Sequence, residues 1–205
     1  MSVIRAFLIV ATIATFIAVP QTAGAASAPS APAGGLVKVP EETLRELARL
    51  HPEKFDRLAA RRSAVRTSST TCGDDGYYWI VNRNSGKYLA IGSSSEANGA
   101  HAIQWDYTGS FGQLWDLWGD HLINVNSGKY LAIGESSTAN GAHAIQWDYT
   151  GSNGQRWRCD NGGHIINVNS GKYLAIGESS TANGAHAIQW ENTGSNGQRW
   201  DKYRY

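Results

Sequence analysis

Residues 123–147 and 166–190 are identical along their whole length, and a diverged copy of the same pattern precedes them. Ser-Gly-Lys-Tyr-Leu-Ala-Ile occurs at 85–91, 127–133 and 170–176, and a Gln-x-Trp triplet closes each copy at 113–115, 155–157 and 198–200. The tyrosines at 88, 130 and 173 set a period of 42 and then 43 residues. Identity of this extent marks a duplication, and duplicated units of this size bury their apolar faces against one another. Whatever fold the chain takes must therefore accommodate three equivalent units.

Within one unit the strand signals are short and evenly punctuated. Residues 122–125 are apolar and β-branched, Asn126-Ser127-Gly128 is a turn, residues 129–133 suit a second strand, and the loop from Glu135 closes on Asn140-Gly141. Residues 142–147 suit a third strand and 155–159 a fourth, after a turn at 150–154. Four strands in each of three units predict an all-β domain of twelve strands. Three units are fewer than the usual minimum of about four propeller blades, and no Gly-His or Trp-Asp blade signature is in place. Closing the units about an axis removes exposed sheet edges.

The remainder of the chain is compositionally distinct, since every Trp and Tyr lies after residue 76. Met1 to Arg5 is short and basic, residues 6–19 are apolar apart from threonines, and Ala23-Gly24-Ala25 offers small residues for cleavage. This predicts a secretory signal peptide over 1–25, too short before Pro20 for a membrane span of about 20 residues. An Ala/Pro/Gly linker is expected over 26–39. Pro40-Glu41-Glu42 opens a short helical segment over 40–63, with Leu44, Leu47 and Leu50 on one face and a break at His51-Pro52. A solvated spacer is the plainest reading of this segment; a propeptide ending near Arg61-Arg62 or a docking segment for a protein partner are the alternatives. The folded domain is expected over 72–205.

The Gln-x-Trp triplets, the early Ser-Gly-Lys-Tyr-Leu and the central Asn-Gly-Ala together resemble the ricin B-type lectin family, also called the carbohydrate-binding module 13 type. The resemblance covers about residues 76 to 205. It implies a β-trefoil, with six strands in a short barrel, six in hairpins that cap it, and one sugar pocket per unit. Fold alone does not fix activity.

Sugar recognition needs an aromatic face against the ring's C–H side, with carboxylates and amides matched to vicinal hydroxyls. Trp105, Trp147 and Trp190 follow the Asn-Gly turns, and Asp106, Asp148 and Glu191 follow them in turn. By resemblance these tryptophans correspond to the family's aromatic platform. Strand alternation leaves core and platform both open, because His143, Ile145 and Trp147 share one face, so that exposing Trp147 also exposes Ile145. Trp115, Trp157 and Trp200 are expected in the core, where one ring contributes on the order of 2–3 kcal/mol. Gln113, Gln155 and Gln198 resemble the family glutamine that braces the pocket and touches ligand; a purely structural hydrogen bond is the alternative.

The chain departs from the family at its usual carboxylate. Sugar-binding members carry Leu-Asp-Val where this chain has Leu-Ala-Ile, so Ala90, Ala132 and Ala175 stand in place of the aspartate, and Gly112, Gly154 and Gly197 replace the asparagine before the glutamine. A compensating carboxylate is expected from Asp106, Asp148 and Glu191, or from Glu135 and Glu178, which Ser93 replaces in the first unit. Three equivalent sites would permit avidity.

His101, His143 and His186 also recur, but on separate lobes they are expected to lie apart as solvated strand residues, with no metal bound. No Gly-x-Ser-x-Gly, His-Glu-x-x-His or phosphate loop is present, so neither a catalytic residue nor a cofactor is expected. A net charge of +1 argues against a general polyanion binder such as a nucleic-acid protein. Cys72 and Cys159 are the two cysteines, and export would favour their pairing, at roughly 4 kcal/mol in the chain-entropy model. The expectation is a secreted carbohydrate-binding protein that takes a glycan or polysaccharide without membrane insertion. The alternative is a trefoil without working sugar sites that acts through protein contacts, as an inhibitor or accessory subunit, with residues 40–63 available to a partner.

Overall fold

The computed structural model describes residues 35–64, 72, 75–200 and 202–203. The expected signal peptide and most of the expected linker lie outside the described residues. After a strand β1 (Gly35–Lys38) and helices α1 (Glu41–Leu50) and α2 (Pro52–Ala64), each unit supplies four strands. The first unit holds β2 (Gly76–Val81), β3 (Tyr88–Ile91), β4 (Ala102–Trp105) and β5 (Leu114–Trp118). The second holds β6 (His121–Asn124), β7 (Tyr130–Ile133), β8 (Ala144–Trp147) and β9 (Trp157–Cys159). The third holds β10 (Ile165–Asn167), β11 (Tyr173–Ile176), β12 (Ala187–Trp190) and β13 (Lys202–Tyr203). Among the described residues no helix is long and apolar enough to cross a membrane.

The fold is a β-trefoil. Hairpins β3–β4, β7–β8 and β11–β12 pair in the same register, setting Tyr88 against Trp105, Tyr130 against Trp147 and Tyr173 against Trp190. The outer strands of each unit form the barrel around Trp115, Trp157 and Trp200, which are buried as expected. Each indole Nε1 donates 2.9 Å to the carbonyl of Leu89, Leu131 or Leu174. A buried indole keeps its apolar area only if its N–H finds an acceptor, and the hairpin of the same unit supplies one.

The units are clipped together by polar side chains with no solvent to compete. Buried Asn82, Asn124 and Asn167 each donate 3.0 Å to the carbonyl of Gly197, Gly112 or Gly154 in the preceding unit around the ring. Gln104, Gln146 and Gln189 are fully buried, each accepting from Ser85, Ser127 or Ser170 and donating two bonds to carbonyls of a neighbouring unit. Both the oxygen and the nitrogen of each of these amides have a partner, the asparagine oxygens accepting from the N–H of Asn84, Asn126 or Asn169, which is the condition for placing an amide in a core at all. Cys72 and Cys159 form a disulfide, tying the segment before β2 to the end of β9.

Two parts of the N-terminal third differ from the expectation. Gly35–Lys38 is a strand rather than linker, antiparallel to β2 and parallel to β13, with Leu36 opposite both Ile80 and Lys202. The barrel seam between β2 and β13 would otherwise present unpaired backbone groups, and pairing them requires no particular side-chain pattern. Residues 40–63 are not a solvated spacer either. Val39 and Leu58 are buried in a second apolar cluster with Trp79, Val81, Leu114 and Tyr130, while Phe55 packs edge-on against Tyr77 and Phe111. Lys54 and Arg57 donate to the carbonyl of Asn126, and Arg62 forms an ion pair with buried Asp116. The inner face of α2 is thus consumed within the chain.

Candidate functional site

Alternation along β8 turns Ala144 and Gln146 inward and directs Ile145 and Trp147 outward. Trp105, Trp147 and Trp190 are 42%, 42% and 38% exposed, whereas the Gln-x-Trp rings are buried. Each of these tryptophans leans on the Asn-Gly turn of the neighbouring unit: a methyl placed on Gly99 would lie 3.6 Å from Cζ3 of Trp147, and on Gly141 and Gly184 it would lie 3.5 Å from Trp190 and Trp105. Gly99 has φ +81°, a conformation open to glycine at little cost, so the turn can pass close beneath the indole.

In front of each tryptophan lies a recess. In the second unit its floor is Ala132 with Ile145, directly opposed across β7 and β8, together with buried Gln155. The turn at Gly134–Ser136 forms part of its wall, and Thr150 and Ser152 also line it. The corresponding recess in the third unit contains Ala175, Glu178 and Trp190, and that in the first contains Ala90, Ser93 and Trp105. Their volumes are about 660, 490 and 340 Å³ for the second, third and first units. The second recess also reaches His101 and His143 near the axis.

The walls hold the backbone strain of the domain. Ser93, Ser94, Glu135, Ser136, Glu178 and Ser179 have φ between 48° and 55°, and among the described residues they are the only non-glycine residues with positive φ. A left-handed L-residue costs roughly 1–2 kcal/mol, and such strain gathers at binding sites where surrounding structure enforces it. The enforcing contact explains the glycines that replace the family asparagine. A Cβ on Gly154 would lie 2.6 Å from Ser136 Oγ and 3.2 Å from its Cα, with the same fit at Gly112 and Gly197. Gly154→Ala is therefore expected to destabilise the protein by about 1–3 kcal/mol through overpacking, and Ser136→Gly in the same chain should restore most of the loss. Urea denaturation of the two variants checks this; an Ala variant as stable as wild type would contradict the fit.

Neither Asp106, Asp148 nor Glu191 lines a recess, contrary to the first expectation for the carboxylate. Asp148 accepts from Lys129 at 2.8 Å and from Asn98 at 2.9 Å, and Asp106 pairs with Lys87 and accepts from Asn183 at 2.7 Å. The lysine bond first, then the asparagine, holds each carboxyl below the ordinary aspartate range. The main-chain N–H groups of Asp106, Asp148 and Glu191 donate to Asn183, Asn98 and Asn140. These residues lock one unit to the next. Glu135 and Glu178 are the carboxyl groups in the recess walls, and only Ser93 stands at that place in the first unit.

Gln113, Gln155 and Gln198 sit in the recess floors as braces. Gln155 Oε1 accepts from the N–H and the hydroxyl of Thr150 at 2.8 and 2.9 Å, and Nε2 donates 2.7 Å to the carbonyl of Asp148; the other two repeat this pattern. The threonines and serines at the recess lip were not singled out in the sequence, although Thr-Gly-Ser recurs beside every Gln-x-Trp. His101, His143 and His186 do not stay apart. Their ring centroids meet at 4.7–4.9 Å where the three hairpins converge.

The family model for the ricin-type beta-trefoil lectin domain matches residues 76–200. This chain belongs to that family. Among solved structures, the lectin domain is similar to the designed three-fold symmetric protein ThreeFoil, at 38% identity over 61% of this chain and 96% of that one, with a TM-score of 0.58. It is also similar to an exo-beta-1,3-galactanase from Clostridium thermocellum, at 32% identity over 63% of this chain and 30% of the enzyme, with a TM-score of 0.57. The C-half of the earthworm R-type lectin, solved in complex with GalNAc, shares the fold at 18% identity, covering 60% of this chain and 95% of that one with a TM-score of 0.52. No curated protein sequence matches the chain.

Proposed function

We propose that this ricin-type lectin domain is a secreted, non-enzymatic binder of glycans, using the recesses of the second and third units foremost. The observation that carries the reading is that exposed Trp147 and Trp190 each line a recess that Glu135 or Glu178 also lines. An indole face and a carboxylate in one recess suit a sugar ring, which presents apolar C–H bonds on one side and hydroxyl pairs at its edge. The usual aspartate is replaced by Ala132 and Ala175, so the hydroxyls would be gripped from the wall and not from the floor. The first unit has no wall carboxylate and the smallest recess, and it is the weakest of the three. Export is supported by the basic and apolar start of the sequence and by the Cys72–Cys159 disulfide, which persists in oxidising compartments.

The alanines favour a second reading, a trefoil that has lost sugar binding and works through protein contacts. The two separate in a glycan and polysaccharide array probed with the intact chain. Binding that is lost in Trp147→Ala and Trp190→Ala supports the lectin reading, and silence across the array from folded protein supports the second.

A further inference from the structure

Three histidines that lie 42 and 43 residues apart in sequence come together on the pseudo-threefold axis, with one ring nitrogen of each within 4.8 Å of the others. We propose that His101, His143 and His186 form a binding site for one divalent transition-metal ion of the zinc class. The proposal does not rest on the glycan reading.

The backbone places the rings. Each histidine immediately precedes the second strand of its hairpin, and the isolated bridges His101 to Ile145, Ile103 to His186 and His143 to Ile188 join the three hairpins around the axis. Behind them, the carbonyls of Ala100, Ala142 and Ala185 accept from the N–H groups of Gln146, Gln189 and Gln104 at 2.9 Å each. Three imidazoles are therefore carried on a closed ring of main-chain bonds, with only their side-chain torsions free.

Two of the rings already meet edge to edge through their nitrogens. Nδ1 of His143 and Nδ1 of His186 are 3.1 Å apart, which is a hydrogen bond only when one is protonated and the other offers a lone pair. Among the described residues the histidines in carboxylate pairs are His51, His121 and His164, and the acidic group that shares a recess with His101 and His143 is Glu135. Three imidazoles are a ligand set that suits zinc, copper(II) and nickel rather than magnesium or calcium. Tetrahedral zinc at about 2.0–2.1 Å from each nitrogen needs ligands about 3.3 Å apart and leaves a fourth position for water. The three rings are exposed, so their side-chain torsions are free to close the nitrogens from within 4.8 Å toward that spacing.

The test is calorimetric titration of Zn²⁺ into the metal-stripped intact chain at pH 7.5. One ion per chain is expected, with the imidazole proton resonances of His101, His143 and His186 shifting together. His143→Ala and His186→Ala should each weaken binding at least about 100-fold, whereas His51→Ala, His164→Ala and Trp147→Ala should leave it unchanged. Acidification to pH 5.5 should weaken binding, because protons compete for the same nitrogens. The cluster residues are exposed, so the variants are expected to fold, and circular dichroism verifies it. Absence of stoichiometric uptake, or uptake that survives His143→Ala in folded protein, overturns the proposal.

Discussion

Truncating Arg62 to alanine is expected to lower the free energy of unfolding by about 3–5 kcal/mol, the range for removing one partner of a buried ion pair. Asp116 on β5 is fully buried, and Arg62 reaches it with a two-pronged contact through Nε, at 2.9 Å, and Nη2. The guanidinium is held between Trp118 and Tyr77, 4.8 and 5.3 Å from the ring centres. Burial pushes the Asp116 carboxyl up, and Arg62 is the group that opposes the shift. Without Arg62 only the burial and the nearby Asp75 charge remain, both raising the pKa. A carboxyl whose folded pKa is raised loses stability as pH climbs through that value, so the deficit should be full at neutral pH and shrink on acidification. Arg62→Lys should recover part of the loss, since a point charge cannot reproduce the fork or the stacking. Urea denaturation between pH 4 and 7.5 measures all of this. A loss below about 1 kcal/mol, the size typical of an exposed pair, would mean that α2 is not docked on the trefoil.

The two tryptophans of one unit should fail in opposite ways. Trp157→Ala is expected to cost about 3–5 kcal/mol, because it empties a filled core position and leaves the carbonyl of Leu131 without its donor. Trp147→Ala removes a ring that is 42% exposed and touches the fold mainly along one edge, and it should cost far less. Parallel denaturation curves of the two variants check the contrast. Equal losses would mean that Trp147 is a core residue after all and would remove it from the proposed site.

The repeated units were readable in the sequence because each obeys local rules. Alternation, turn dipeptides and the Gln-x-Trp triplet located the hairpins and the buried Trp115, Trp157 and Trp200 within a residue or two. Alternation also linked Trp147 to Ile145, and the structure turns both to one face, Trp147 exposed and Ile145 half-buried. What escaped the sequence depends on groups far apart along the chain. Gly35–Lys38 becomes a strand because the seam between β2 and β13 offers it backbone partners. Arg62 and Asp116 are separated by 54 residues, and nothing near either foretells the pairing. The glycines before Gln113, Gln155 and Gln198 look like losses until Ser94, Ser136 and Ser179 are seen pressed against them. The histidines converge because the ring closes, a property of three units together that no single unit displays.

In the proposed site, Trp147 and Glu135 hold one ligand within the recess they both line. The measurement that tests it most directly is a titration of the intact chain, Trp147→Ala, Trp190→Ala and Glu135→Gln with the best glycan from the array. The account predicts that Trp147→Ala and Glu135→Gln each abolish the same class of site, with stability little changed, and that Trp190→Ala abolishes the other. Undiminished binding in the folded Trp147→Ala and Trp190→Ala variants would contradict it and place the glycan elsewhere on the domain.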